Sequence, residues 1–132
     1  MKILLDTNAY SALRRGNEVV AEHVRRSEEV CLSAVVVGEL LFGFRNGTRY
    51  DENARELKAF LEDPNVLLLP ITWDTADFFG RISAALRKKG KPIPTNDIWI
   101  AAHAMESGAV LLSFDSHFGH IDDLAWRAFV AI

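Results

Sequence analysis

Lys2-Ile3-Leu4-Leu5-Asp6-Thr7-Asn8 places an apolar run, a carboxylate and the start of a helical pattern within seven residues. An apolar run that does not alternate with polar residues reads as a strand covered on both faces, the habit of parallel sheets. Four further runs of this kind follow, at residues 29–32, 65–69, 109–112 and 128–132. Helical patterns fill the gaps at residues 7–15, 17–26, 34–44, 51–61, 75–89 and 96–106. Breakers fall where helices should stop, at Gly16, Asn46-Gly47, Asp63-Pro64, Gly90 and Gly108, and Ser33 and Thr95 stand where N-caps belong. Five strands alternating with helices predict an α/β domain of three α/β/α layers around a five-stranded parallel sheet with right-handed crossovers.

A chain of 132 residues fits one domain, residues 1–132, and its 49% hydrophobic and 25% charged composition excludes disorder and low-complexity scaffolds. The lone Cys31 lies in the apolar run Val30-Cys31-Leu32, so it predicts a buried, inert thiol and a reducing, cytoplasmic setting. No apolar run approaches the ~18 residues that span a bilayer, so no membrane partner is expected. The net charge of −3 argues against a nucleic-acid binder built on bulk positive charge. Setting aside four clustered carboxylates, however, leaves 15 cations against 14 anions, and a polyanionic substrate stays open.

In an open parallel sheet the site lies beyond the carboxyl ends of the strands. Asp6 follows the first predicted strand and Asp115 the fourth, while Asp97 falls in the first turn of the last helix. Each has an ordinary role, Asp6 and Asp97 at helix starts and Asp115 in a turn. Glu39 is harder to explain so, because the helix Ala34-Val35-Val36-Val37-Gly38-Glu39-Leu40-Leu41-Phe42 has little polar face to offer a charge. Two carboxylates about 4 Å apart repel by roughly 4 kcal/mol at an effective dielectric of ~20, and a divalent cation reconciles them. An oxygen-rich donor set without cysteine selects Mg²⁺ or Mn²⁺ over Zn²⁺. His103, His117 and His120 are read as structural residues, Asp122 and Asp123 as surface turn residues that could compete with Asp115. The basic run Arg87-Lys88-Lys89-Gly90-Lys91 reads either as a solvated helix end or as a grip on a phosphate backbone.

Leu5-Asp6-Thr7-Asn8, Ser33 with Gly38-Glu39-Leu40, Pro94-Thr95-Asn96-Asp97 running into Ile100-Ala101-Ala102-His103-Ala104, and Asp115 with Phe118 together resemble the PIN-domain ribonucleases, and more narrowly the VapC-type toxins of toxin-antitoxin pairs. The resemblance implies that Asp6, Glu39, Asp97 and Asp115 form an acidic quartet that holds Mg²⁺ or Mn²⁺ and hydrolyses RNA through a metal-activated water, leaving 5′-phosphate and 3′-hydroxyl ends. Thr7, Asn8, Ser33, Asn96 and Ser113 are then candidates to orient carboxylates or substrate. It also implies a VapB-type antitoxin as partner and a homodimer, for which Leu40-Leu41-Phe42-Gly43-Phe44 with Phe78, Phe79 and Ile82 would supply apolar contacts. Ser113-Phe114-Asp115 departs from the usual family spelling, which makes Asp115 the ligand most in need of a structural check.

Two other classes compete. A phosphoacceptor signalling domain needs an aspartate just after its third strand, where this chain has Leu69-Pro70-Ile71. A catalytically idle PIN-like module binding RNA or protein would not need all four carboxylates.

Overall fold

In the computed structural model, which describes residues 1–129, the sheet comprises β1 (Lys2–Leu5), β2 (Glu29–Ser33), β3 (Val66–Leu69), β4 (Val110–Ser113) and β5 (Trp126–Ala128). Their spatial order is β3-β2-β1-β4-β5, and every pairing is parallel. The helices are α1 (Thr7–Arg14), α2 (Glu18–Arg26), α3 (Ala34–Arg45), α4 (Tyr50–Glu62), α5 (Trp73–Lys89) and α6 (Thr95–Ser107), with a 3₁₀ turn over Ser116–His120. The chain steps from β1 outward to β3, then returns past β1 to β4. Right-handed crossovers therefore put α1–α4 on one face and α5–α6 on the other, which gives the three layers expected. The order reverses between β1 and β4, whose carboxyl ends flank the crevice where such sheets place their sites.

The central strands behave as their apolar runs predict. Ile3, Leu4, Leu5, Cys31, Leu32, Leu111 and Leu112 are completely buried, and burial pushes the Cys31 thiol up to about 11, so it is an inert core group. The third strand departs from the expectation of cover on both faces. It is an edge strand on which Leu67 and Leu68, pointing to opposite faces, are 40% and 48% exposed.

Most element boundaries differ from the sequence reading by a residue at one end or the other, and at three of them the cause is visible. The fifth strand starts at Trp126 and not at Ala128, because pairing with β4 sets Leu111 against Trp126 and Ser113 against Ala128; residues 130–132 of the expected strand lie outside the described residues. Helix α5 starts at Trp73, since the Thr72 N–H donates to Thr75 Oγ1 at 3.1 Å, and this cap makes Thr75 part of the first turn. Thr95 is the first helical residue of α6 and not its cap: the Pro94 carbonyl accepts from the N–H groups of Asp97 and Ile98. Ser33 caps α3 as expected, its hydroxyl accepting from Val35 N–H at 3.0 Å.

Helices α5 and α6 run antiparallel, joined by Thr75 Oγ1 donating to Glu106 Oε1 at 2.6 Å and by a Phe79–Trp99 ring stack at 4.0 Å. At the C-terminus of α5, Lys89 Nζ donates to the His120 carbonyl at 2.9 Å. None of the described helices is long and apolar enough to cross a membrane.

Candidate active site

Asp6 leaves β1 and enters α1 without an intervening loop. Its N–H donates to the Leu112 carbonyl at 3.3 Å, the last bond between β1 and β4, and its Oδ1 accepts from Ala9 N–H at 2.8 Å. The residue is 3% exposed. Burial pushes its carboxyl up to about 6, against the pull of the Ser113 hydroxyl and the Ala9 N–H and with a further push from the charges of Asp115 and Asp97.

Asp97 stands in the first turn of α6, and burial also raises its carboxyl. The neighbouring His117 ring pulls it back, while Asp115 and Glu39 push it up. Asp115 lies two residues beyond β4, its N–H donating to Ser113 Oγ at 2.9 Å. Ser113 is itself fully buried, so the serine that orients Asp115 also touches the electrostatics of Asp6. Glu39, half-buried on α3, is held at both oxygens: Thr7 Oγ1 donates to Oε1 at 2.5 Å and Asn96 Nδ2 to Oε2 at 3.2 Å.

The four carboxylates share one open cleft of about 510 Å³, lined also by Thr7, Asn8, Pro94, Thr95 and Asn96. Among the described lining residues there is no Lys or Arg. Asp115 is thus one of the four carboxylates that line the cleft. Asp122 and Asp123 lie elsewhere, along a separate groove of about 260 Å³, with Asp122 paired to Lys89 at 2.6 Å and Asp123 in a left-handed turn at φ 63°. Ser33 does not reach the cleft; it is buried beneath it, as the cap of α3.

The structure brings His117, which the sequence reading set aside as a structural loop residue, up to two of the carboxylates. Asp97, Asp115 and His117 each bring a potential ligand atom within 4.8 Å of the others, and His117 Nε2 lies 2.8 Å from Asp97 Oδ2. That approach is not aligned as a hydrogen bond, so Nε2 is a buried nitrogen without a hydrogen-bond partner. The available signal was its place two residues after Asp115, where the 3₁₀ turn brings the ring against Asp97. The other two histidines fit the structural reading: His103 is buried between Ser33 and Pro70, and His120 is exposed.

This donor set fits a hard divalent cation. Carboxylates converge without a protein cation among the described lining residues, two of them are pushed up by burial and mutual repulsion, and an imidazole nitrogen aimed at them lacks a hydrogen-bond partner.

Comparison with known proteins agrees with this geometry. The PIN domain family matches residues 3–124. The chain is 30% identical over 132 residues to Ribonuclease VapC1 of Haemophilus influenzae strain R2866, covering 96% of this chain and 97% of that protein. It is 35% identical over 115 residues to Ribonuclease VapC2 of Haemophilus influenzae strain Rd, covering 86% of each. The fold overlays the structure of VapBC-1 from nontypeable Haemophilus influenzae with a TM-score of 0.86 at 29% identity, covering 97% of this chain and 98% of that one. With a PIN match over nearly its whole length and VapC relatives at this identity, the chain belongs to the PIN-domain family and, within it, to the VapC ribonucleases.

Proposed function

We propose that this protein is a Mg²⁺- or Mn²⁺-dependent endoribonuclease that acts as the toxin of a toxin-antitoxin pair. The observation that carries the metal-dependent mechanism is the meeting of Asp6, Glu39, Asp97 and Asp115 in one cleft at the reversal point of the sheet. Asp97, Asp115 and Asp6 would hold the ion, with His117 beside them. A divalent ion bound there lowers the pKa of a coordinated water and draws charge from the scissile phosphate.

The chain's own groups do the rest. Glu39, fixed at both oxygens by Thr7 and Asn96, is oriented to accept the proton of the attacking water. Thr95 and Asn96 line the cleft at the N-terminus of α6, whose N–H groups favour an anionic phosphate. The water oxygen bonds to phosphorus as the P–O3′ bond breaks, and the departing 3′ oxygen takes a proton from solvent, which leaves a 5′-phosphate and a 3′-hydroxyl. The basic run Arg87-Lys88-Lys89-Gly90-Lys91, at the end of α5 and just after it, would supply positive charge for the flanking backbone.

A VapB-type antitoxin is the partner this reading calls for, supported by the likeness to VapBC-1. An antitoxin arginine or lysine entering the cleft would pair with its carboxylates and compete with the metal. A homodimer belongs to the same reading. Phe42 on α3 is 67% exposed and free for it, whereas Ile82, expected in that contact, is 5% exposed and fills the core.

Incubating the protein with total RNA and mapping the 5′ ends tests activity and substrate together. Cleavage at defined sites is expected with Mg²⁺ or Mn²⁺, none with chelator, and none for Asp97→Asn. Cleavage undiminished in chelator or in that variant would overturn the mechanism.

A further inference from the structure

Ser33 and His103 are 0% and 1% exposed, and neither lines the cleft. His103 sits six residues, about 9 Å, along α6 from Asp97. Its Nδ1 lies 2.8 Å from Ser33 Oγ and its Nε2 3.0 Å from the Pro70 carbonyl oxygen. A carbonyl oxygen only accepts, so the ring carries its proton on Nε2. Ser33 Oγ already accepts from Val35 N–H at 3.0 Å, and its own hydrogen needs an acceptor. Unprotonated Nδ1 supplies one. A single arrangement satisfies every group: Val35 N–H to Ser33 Oγ, Ser33 O–H to Nδ1, and Nε2–H to Pro70.

Each link ends on an element that matters to the cleft. Ser33 starts α3, which carries Glu39, and α6 carries Asp97. Pro70 follows Leu69, the residue paired with Ser33 across β2 and β3. Within the cleft, Asn96 Nδ2 to Glu39 Oε2 joins the same two helices. Helices α3 and α6 are thus fastened at two heights, and two fastenings fix the rotation of α3 about its axis where one would leave it free.

We propose that His103 is a positioning residue: by holding Ser33 it sets the start of α3 and so the place where Glu39 presents its carboxylate to Asp97. This rests on the role of Glu39 given above. The competing view is that His103 merely fills core volume.

Three substitutions separate the two. Asn at 103 offers an acceptor near the position of Nδ1 but does not reach Pro70. Gln offers a donor near Nε2 but no acceptor for Ser33, and Leu offers neither. With one hydrogen bond at stake, His103→Leu and His103→Gln should lower kcat about tenfold at unchanged KM, while His103→Asn stays within about threefold of wild type. Rates are compared well below each melting temperature. Ser33→Ala should match His103→Leu, and the double variant should lose no more than either alone. Equal kcat in all folded variants, losses that follow melting temperature, or His103→Asn as poor as His103→Leu would overturn the proposal.

Nitrogen NMR of the metal-free wild type gives a readout independent of activity and of variant folding. The Nε2–H tautomer of His103 is expected, and an Nδ1–H tautomer overturns the arrangement. Glu39→Gln distinguishes the two levels: undiminished kcat there removes the role of Glu39 and this proposal with it, whereas a loss there beside an unaffected, folded His103→Leu removes this proposal alone.

Discussion

Asp6 and Asp115 follow neighbouring strands paired at Leu5 and Leu112, yet the chain treats them in opposite ways. Asp6 passes straight into α1, caps it and is sealed under it. Asp115 continues into a loop, tied through its backbone to Ser113, and the loop then brings His117 alongside. One arm supplies a carboxylate whose position is set by the sheet and whose charge is opposed by burial. The other supplies a carboxylate whose surroundings are assembled by a 3₁₀ turn. The rigid arm costs folding stability in the absence of a cation, and the loop arm tunes the site at little cost to the fold.

The largest effect should come from breaking the rigid arm. Asp6→Asn keeps an N-cap and the shape of the residue, so the fold should persist, while metal-dependent cleavage falls more than about a hundredfold. The metal-free variant should also melt higher at neutral pH. A native carboxyl pushed up to about 6 from 3.8 holds its proton more tightly folded than unfolded. Its contribution is therefore fully present below pH 3.8 and is lost as pH rises through 6. The shift corresponds to at most roughly 3 kcal/mol, or several degrees in melting temperature. Denaturation midpoints of metal-free protein across that window should fall with rising pH in wild type and fall much less in Asp6→Asn, with Asp97 leaving a residual slope of the same sign. Parallel pH profiles in the two proteins would show that Asp6 is not the strained member.

An intermediate effect tests the loop arm. His117→Ala should weaken Mn²⁺ binding, followed by titration calorimetry, and cleavage by about tenfold, with little change in metal-free stability. His120→Ala, three residues on and exposed, should do neither. Equal behaviour of the two variants would mean that the ring beside Asp97 is incidental.

The smallest effect sharpens the boundary of the site. Asp122 pairs with Lys89 at 2.6 Å in a well-exposed position, and such a pair contributes about 0–1 kcal/mol. Asp122→Asn should therefore shift the melting temperature only slightly and leave cleavage unchanged. A large loss of cleavage would move the acidic site away from Asp115.

The sheet and three of the four cleft carboxylates were legible because each is written in local pattern. Apolar runs mark β1, β2 and β4. Asp6 and Asp97 sit at strand-to-helix or loop-to-helix junctions, and Glu39 stands out as a charge in an apolar helix. Asp115 was readable from its place after the fourth apolar run and from the resemblance it carries with Phe118, while Asp122 and Asp123 a few residues on kept it open. The approach of His117 to Asp97 was not legible because a 3₁₀ turn has no periodicity to announce which way a ring points. The start of α5 was misplaced because Thr72 and Thr75 can each cap a helix, and only the contact with Glu106 shows both acting together. The exposure of Leu67 and Leu68 follows from strand order, which composition does not encode.

That edge strand shows how the fold limits its own growth. One side of β3 has unmatched backbone donors and acceptors, and its leucines would reward a further strand from another chain. Its template is only four residues long and stands between Pro64, in the turn before it, and Pro70, directly after it. Neither proline can donate to a lengthened ladder, and the Pro70 carbonyl is already taken by His103. Replacing these stops would leave the cleft intact and convert the far edge of the sheet into a nucleus for intermolecular β-pairing.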